Sequence, residues 1–230
     1  MQPLGYSTGA LALFDFRRAL EMLKHQPVTA IELSAIRKHE LIPLLHALDD
    51  LNLAKFDYIS IHAPSEFSHE EEPWIFQELY ESRHRGWPII VHPDTLHDYS
   101  LWNTLGDLLC IENMDKRKPG GRTVQELKSL FEAFPRASFC FDIGHARQVD
   151  TSMVEAYRML KYFAPRLRQV HVSEVSTQNK HATLSFVTIL DYQELAHLIP
   201  HTVPVIIESI VSEDQVGPEI KRVRRALAVS

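Results

Sequence analysis

Thirteen histidines in 230 residues are this chain's least ordinary feature, and several fall where they could hold a metal. The segment Phe139-Cys140-Phe141-Asp142-Ile143-Gly144-His145 reads as a short apolar strand ending in a carboxylate, with a glycine turn that presents an imidazole three residues later. An acid and an imidazole so placed are two metal-ligand types, one fixed by a sheet and one by a loop. Five further apolar runs end in the same manner, so that His62, His92, Glu112, Asp142, His171 and Glu208 stand in series at strand tips. Side chains alternate along a strand, and the residue two before each tip shares its direction. Those residues are Ser60, Ile90, Cys110, Cys140, Gln169 and Ile206, a neutral layer of the kind expected beneath a polar site. Any single tip is as easily a solvated or hydrogen-bonded residue; six at corresponding positions ask for a common cause. Three imidazoles and three carboxylates in one mouth suit a divalent transition metal better than Ca or Mg.

Eight apolar runs have to position these groups. They cover residues 3–7, 28–33, 56–62, 88–92, 108–112, 137–142, 167–172 and 203–208, with helical patterns between them. The pattern over 73–85 has proline in its first turn, where a missing N–H does no harm. Thr123 with Glu126 three residues on is a capping-box signature. Later helices are expected over 152–163, 192–198 and 213–227. Strands alternating with helices imply parallel pairing through right-handed crossovers. Eight such units in this length predict an α/β fold, a closed (β/α)8 TIM barrel forming one domain over residues 1–230. An open doubly wound sheet is the competing architecture, but Gly5-Tyr6-Ser7-Thr8-Gly9 lacks the phosphate-binding glycine spacing.

Composition narrows the partners. A net charge of -6 argues against a surface built mainly for nucleic acid, so nucleic acid is a disfavoured partner. The two cysteines, Cys110 and Cys140, lie inside apolar runs and read as reduced thiols of a cytoplasmic protein. Residues 10–14 are too short an apolar stretch for a secretion signal, and no run approaches the ~18 residues needed to cross a bilayer. No membrane partner is expected.

With Ile111-Glu112-Asn113, Asp142-Ile143-Gly144-His145, His171-Val172-Ser173-Glu174 and Ile207-Glu208-Ser209 at its strand ends, the sequence resembles the xylose isomerase-like TIM barrel superfamily over nearly its whole length. That superfamily includes endonuclease IV and the sugar phosphate isomerases and epimerases. In the isomerase branch one metal is held by a Glu, an Asp, a His and a second Glu, which the resemblance lays on Glu112, Asp142, His171 and Glu208. There Glu112 and Glu208 would be the catalytic pair that moves a proton between neighbouring carbons. In the endonuclease IV branch the quartet grows into a three-zinc cluster. The resemblance then adds His62 and His92 as metal ligands, His145 as the imidazole of the DxxH turn, and His181 as the histidine of an Asp-x-His pair. Asn179 replaces the acid of that pair, which implies two or three ions, zinc first and manganese as the alternative. Ala63-Pro64-Ser65 stand where endonuclease IV carries a tyrosine after its strand-three histidine.

Three functions follow. The first is a metal-dependent hydrolase of phosphate esters, in which bound cations make water nucleophilic and stabilise a departing oxygen. The second is a sugar (phosphate) isomerase or epimerase using Glu112 and Glu208 as base and acid. The third is a non-catalytic barrel that holds metal only for structure. Either enzyme would take a small phosphorylated or sugar substrate. Lys116, Arg117, Lys118 and Arg122, on a glycine-containing loop after Glu112, are candidates to hold a phosphate, unless they form an ordinary solvated turn. Glu174 is a candidate substrate contact or supporting partner of the ligands.

Overall fold

Beyond their first residues the barrel strands are buried on both sides, which is why their sequences are apolar runs: one face meets the lumen, the other the surrounding helices. A computed structural model of the chain describes residues 2–13, 15–176, 178 and 180–228. Its first seven strands are β1 (Leu4–Ser7), β2 (Ala30–Ser34), β3 (Tyr58–His62), β4 (Ile89–Val91), β5 (Leu109–Glu112), β6 (Ser138–Asp142) and β7 (Leu167–Val172). A small antiparallel hairpin follows, β8 (Glu174–Val175) with β9 (His181–Ala182), and then β10 (Val205–Ile207). β1 to β7 and β10 pair in parallel in sequential order, and β10 closes the ring against β1, opposite Leu4 to Tyr6. The predicted (β/α)8 TIM barrel is the observed fold.

The α-helices are α1 (Thr8–Ala12), α2 (Phe16–Leu23), α3 (Lys38–Ala47), α4 (Glu72–Glu81), α5 (Tyr99–Asn103), α6 (Val124–Ala133), α7 (Ile143–Val149), α8 (Val154–Tyr162), α9 (Phe186–Ala196) and α10 (Val216–Leu227). The large core lies between strands and helices, where Leu33, Ile61, Phe139 and Phe141 meet Leu41, Ile75 and Leu127. Ile90, Cys110 and Cys140 form a separate cluster, the neutral layer expected below the strand tips. At Gly5 a Cβ would fall inside the Ala30 carbonyl, so the contact of β1 with β2 admits glycine alone. No described helix is long and apolar enough to cross a membrane.

Three local expectations change. Thr123 does cap α6, accepting from the Glu126 backbone N–H at 3.2 Å, but the Glu126 carboxylate reaches back to the Arg122 N–H instead of closing a box on Thr123. Helix α9 starts at Phe186, well before the expected residue 192, because Phe186, Val187 and Leu190 are exposed and blur the apolar period. The predicted glycine turn at Gly144 is helix α7.

Candidate metal centre

In a parallel barrel all strands end on one face, where side chains from different strands can meet. There His62, His92, Glu112, His145, His181 and Glu208 line a cavity of about 610 Å³. His62, Glu112 and Asp142 are the final residues of β3, β5 and β6; His171 is one short of the end of β7, while His92 and Glu208 come one residue past β4 and β10. His145 stands in the first turn of α7, where the Asp142 carboxylate caps the helix by accepting from the His145 N–H at 2.6 Å. A Cβ at residue 144 would come within 2.6 Å of the Ser173 carbonyl oxygen, so glycine is what lets this helix start against the end of β7.

Glu112 lies at the centre. Its Oε2 faces His62 Nε2 at 3.2 Å and His92 Nε2 at 3.6 Å, while its Oε1 faces His145 Nδ1 at 3.2 Å and His171 Nδ1 at 3.5 Å. Glu208 reaches His171 Nδ1 with one oxygen and His181 Nδ1 with the other, both at 3.5 Å. Asp142 Oδ2 lies 3.5 Å from His145 Nδ1. Among the described residues, four donor groups have one atom per residue within 4.8 Å of the others: Glu112, Asp142, His171 and Glu208; His62, His92 and Glu112; Glu112, Cys140 and His171; and Glu32, His62 and Glu208. Glu112 belongs to three of them. His145 and His181 pack edge to face at 5.5 Å, at the margin of these groups, and His181 Nδ1 is 2.8 Å from Ser173 Oγ.

The residues fit a cation. Among the described residues, Asp142 Oδ2 and His171 Nδ1 are buried without a hydrogen-bond partner, a cost that a cation between them would relieve. His62 Nδ1 is 2.7 Å from the Ala63 carbonyl, to which it can only donate, so a cation that displaced the other ring proton would find the Nε2 lone pair beside Glu112. Mixed imidazole and carboxylate donors suit zinc or manganese. Electrostatics agree. Burial lowers His62, yet Glu112 and Glu32 overcome it and raise it to about 9. Burial opposes and Asp142, Glu112 and Glu208 raise His145 to about 10. His171 is also raised well above the usual imidazole value, against burial, by Glu208, Glu32 and Glu112. Burial, then the charges of Glu112 and Asp142, push Glu208 up to about 8 against the pull of His171. His92 is lowered by burial, and His181 is lowered to about 4 by burial and by His145. Without metal, protons on the imidazoles offset the buried carboxylates; a cation would take over that role.

The other predicted residues divide. Lys118 and Arg117 line the cavity, each held by an acid: Lys118 Nζ by Asp94 at 2.8 Å, Arg117 Nε by Asp115 at 2.9 Å. Arg122 does not belong with them, because its guanidinium is drawn 2.8 Å from Glu126 at the start of α6. Lys116 is exposed and outside the cavity lining. Glu174 lies outside the cavity lining: its carboxylate accepts from the Ser185 N–H at 2.7 Å and the Thr188 hydroxyl at 2.6 Å, and so ties β8 to the start of α9. Asn179 lies outside the described residues.

Sequence reasoning missed two groups. Asn113 spans β5 and β6, donating to the Asp142 carbonyl and accepting from the Asp142 N–H, both at 2.8 Å. Glu32, fully buried in β2, faces His171 Nε2 at 2.9 Å. The available signal was an acid inside the otherwise apolar Ala30-Ile31-Glu32-Leu33 run.

No family model matches the sequence, and no curated protein matches it. Solved structures do. Endonuclease IV from Thermus thermophilus superposes with a TM-score of 0.67 at 16% identity, covering 99% of this chain and 100% of that one. A xylose isomerase domain protein from Alicyclobacillus acidocaldarius gives 0.65 at 12% identity, over 100% and 99%. A protein from Anabaena variabilis described as a sugar phosphate isomerase/epimerase gives 0.60 at 14% identity, over 96% and 88%. At such identities the likeness is one of fold, and it spans both branches that the strand-tip motifs suggested. The chain has the fold of the xylose isomerase-like TIM barrels.

Proposed function

We propose that this chain is a metal-dependent enzyme that hydrolyses a phosphate ester, and that two divalent cations, zinc or manganese, would be held there with Glu112 as a ligand common to both. The observation that carries the reading is the division of Glu112: one carboxylate oxygen is turned to His62 and His92, the other to His171 and His145. A single cation on the quartet has no use for His62 and His92. Bound there, a cation pair supplies a nucleophile at neutral pH and offsets charge on the departing oxygen. The chain's own residues do the rest. Glu112, Asp142 and Glu208 would hold the cations as carboxylates, Glu208 giving up on binding the proton that burial favours. Lys118 and Arg117, braced by Asp94 and Asp115, would orient an anionic group from the cavity wall. A cavity of about 610 Å³ accommodates a small phosphorylated molecule. The acids beside both cations, with a net charge of -6, oppose a nucleic acid backbone.

One observation favours the sugar isomerase reading. Glu112 and Glu208 each put an oxygen 3.5 Å from the same His171 nitrogen, so two carboxylates that could pass a proton flank one ligand. The test is turnover against metal content. Protein loaded with zinc or manganese is assayed on p-nitrophenyl phosphate, on bis(p-nitrophenyl) phosphate and on an aldose–ketose panel. Ester hydrolysis that rises until two equivalents are bound supports the proposal. Saturation at one equivalent with sugar interconversion alone would replace it by the isomerase reading, and full occupancy without turnover would leave a structural metal barrel.

A further inference from the structure

Beneath the ligand cluster, Glu32 is a carboxylate with no exposed surface, carried in the middle of β2. An ionised carboxylate is costly to bury unless its lone pairs are taken, so its few partners are informative. Oε2 accepts from Gln169 Nε2 at 2.7 Å and faces His171 Nε2 at 2.9 Å, with Ser60 Oγ farther away at 3.4 Å. Oε1 has Ser34 Oγ at 3.5 Å. On the opposite edge of the same imidazole, His171 Nδ1 looks towards Glu112 and Glu208 and has no hydrogen-bond partner.

We infer that Glu32 is a positioning residue: it holds the proton of His171 on Nε2 and so presents the Nδ1 lone pair to the cation of the Glu112–Asp142–His171–Glu208 quartet. The inference rests on the metal reading proposed above. The neighbouring amide shows why a carboxylate is needed. Gln169 Nε2 lies only 2.6 Å from His171 Nε2. The Tyr58 hydroxyl donates to Gln169 Oε1 at 2.8 Å, which leaves the amide only N–H groups to offer on its inner side. Were Gln169 to donate to His171 Nε2, the imidazole proton would move to Nδ1 and the ligand would be lost. Glu32 opposes this because an ionised carboxylate only accepts, and its Oε2 lies within reach of both nitrogens, 2.7 Å from Gln169 Nε2 and 2.9 Å from His171 Nε2. Without Glu32, the acceptors left to the amide are the imidazole at 2.6 Å and the Cys140 sulfur at 3.8 Å, a weak acceptor, so the imidazole takes the bond and the wrong tautomer wins.

The test compares wild type, Glu32→Ala and Glu32→Gln by zinc titration against a competing chelator. NMR of the His171 ring N–H in the zinc-loaded proteins provides a second readout. Zinc affinity at the quartet should fall about 10–100-fold in Glu32→Ala, as for other outer partners of metal-ligating histidines. The strongly downfield Nε2 proton of wild type should disappear. Glu32→Gln, which has the same shape and keeps an acceptor oxygen, should remain folded, move that proton upfield and lose about tenfold in affinity; it serves if the alanine variant does not fold. Variants that bind zinc as tightly as wild type with an unchanged Nε2 proton would overturn the inference and leave the metal reading intact. Wild-type protein that takes up no zinc would overturn both.

Discussion

Adding zinc to the metal-free protein at pH 7 must expel protons, and their number reports which ligands the cation takes. Imidazole and carboxylate groups bind metal only when deprotonated. His62, raised to about 9 by Glu112 and Glu32 against burial, is neutral in only about one molecule in a hundred at pH 7. His171 is likewise raised well above its ordinary value by Glu208, Glu32 and Glu112 against burial, and Glu208, at about 8, still carries its proton. Glu112 is held ionised by the surrounding imidazoles despite its burial, and His92 is lowered by burial. A cation on the quartet therefore displaces about two protons, from His171 and Glu208, and a second on His62, His92 and Glu112 about one more. Isothermal titration in buffers of different ionisation enthalpy gives the count directly. Affinity should fall on acidification by about tenfold per pH unit for each proton displaced. The same shifts act on stability. The folded value of His62 lies above its unfolded value of 6.5, so its contribution is fully present below pH 6.5 and is lost as pH rises through about 9. That shift corresponds to about 3 kcal/mol. Glu208, whose folded value is raised by burial from 4.5 to about 8, loses stability in the same direction between those values. The metal-free protein should thus melt progressively lower from pH 7 to 9 while the zinc-loaded protein does not. Heats that do not depend on the buffer would refute this reasoning.

Further outcomes follow from individual contacts. His92→Ala should remove one of two zinc equivalents by elemental analysis and leave the quartet cation bound, since His92 belongs only to the group with His62 and Glu112; two retained equivalents would exclude it as a ligand. Gly144→Ala drives a methyl against the Ser173 carbonyl and should cost about 1–3 kcal/mol in urea unfolding, with zinc affinity weakened because α7 carries His145; an unchanged midpoint would show that the helix is free to shift. Glu174→Ala should cost about 1 kcal/mol by releasing the Ser185 N–H at the start of α9, with zinc content and turnover unchanged. Lost turnover at unchanged stability would return Glu174 to the site.

What the sequence revealed and what it hid have physical causes. A strand buried on both faces has to be apolar, so an ionisable residue at its end is conspicuous; Phe139 to Asp142 and Leu109 to Glu112 could be read this way, as could the alternation that implies the barrel. Glu32 was hidden because Leu33 and Ser34 continue its strand beyond it, and because its partner His171 is 139 residues away. Helix α7 was hidden by Gly144, whose poor helix propensity is outweighed by the Asp142 cap and by the Ser173 carbonyl that leaves no room for a side chain. Charge on the loop after Glu112 was plain, but which cations face the cavity depends on their acids: Glu126 and Asp115 are near Arg122 and Arg117 in sequence, whereas Asp94 lies 24 residues from Lys118 and no local pattern ties the two.

The central claim is that Glu112 stands between two cations, one on each of its oxygens. Crystals of zinc-loaded protein, with diffraction recorded on both sides of the zinc absorption edge, test it most directly. The account predicts two anomalous peaks flanking the Glu112 carboxylate, one beside His62 and His92 and one beside Asp142, His171 and Glu208. A single peak on the quartet, or none in the barrel mouth, would contradict it.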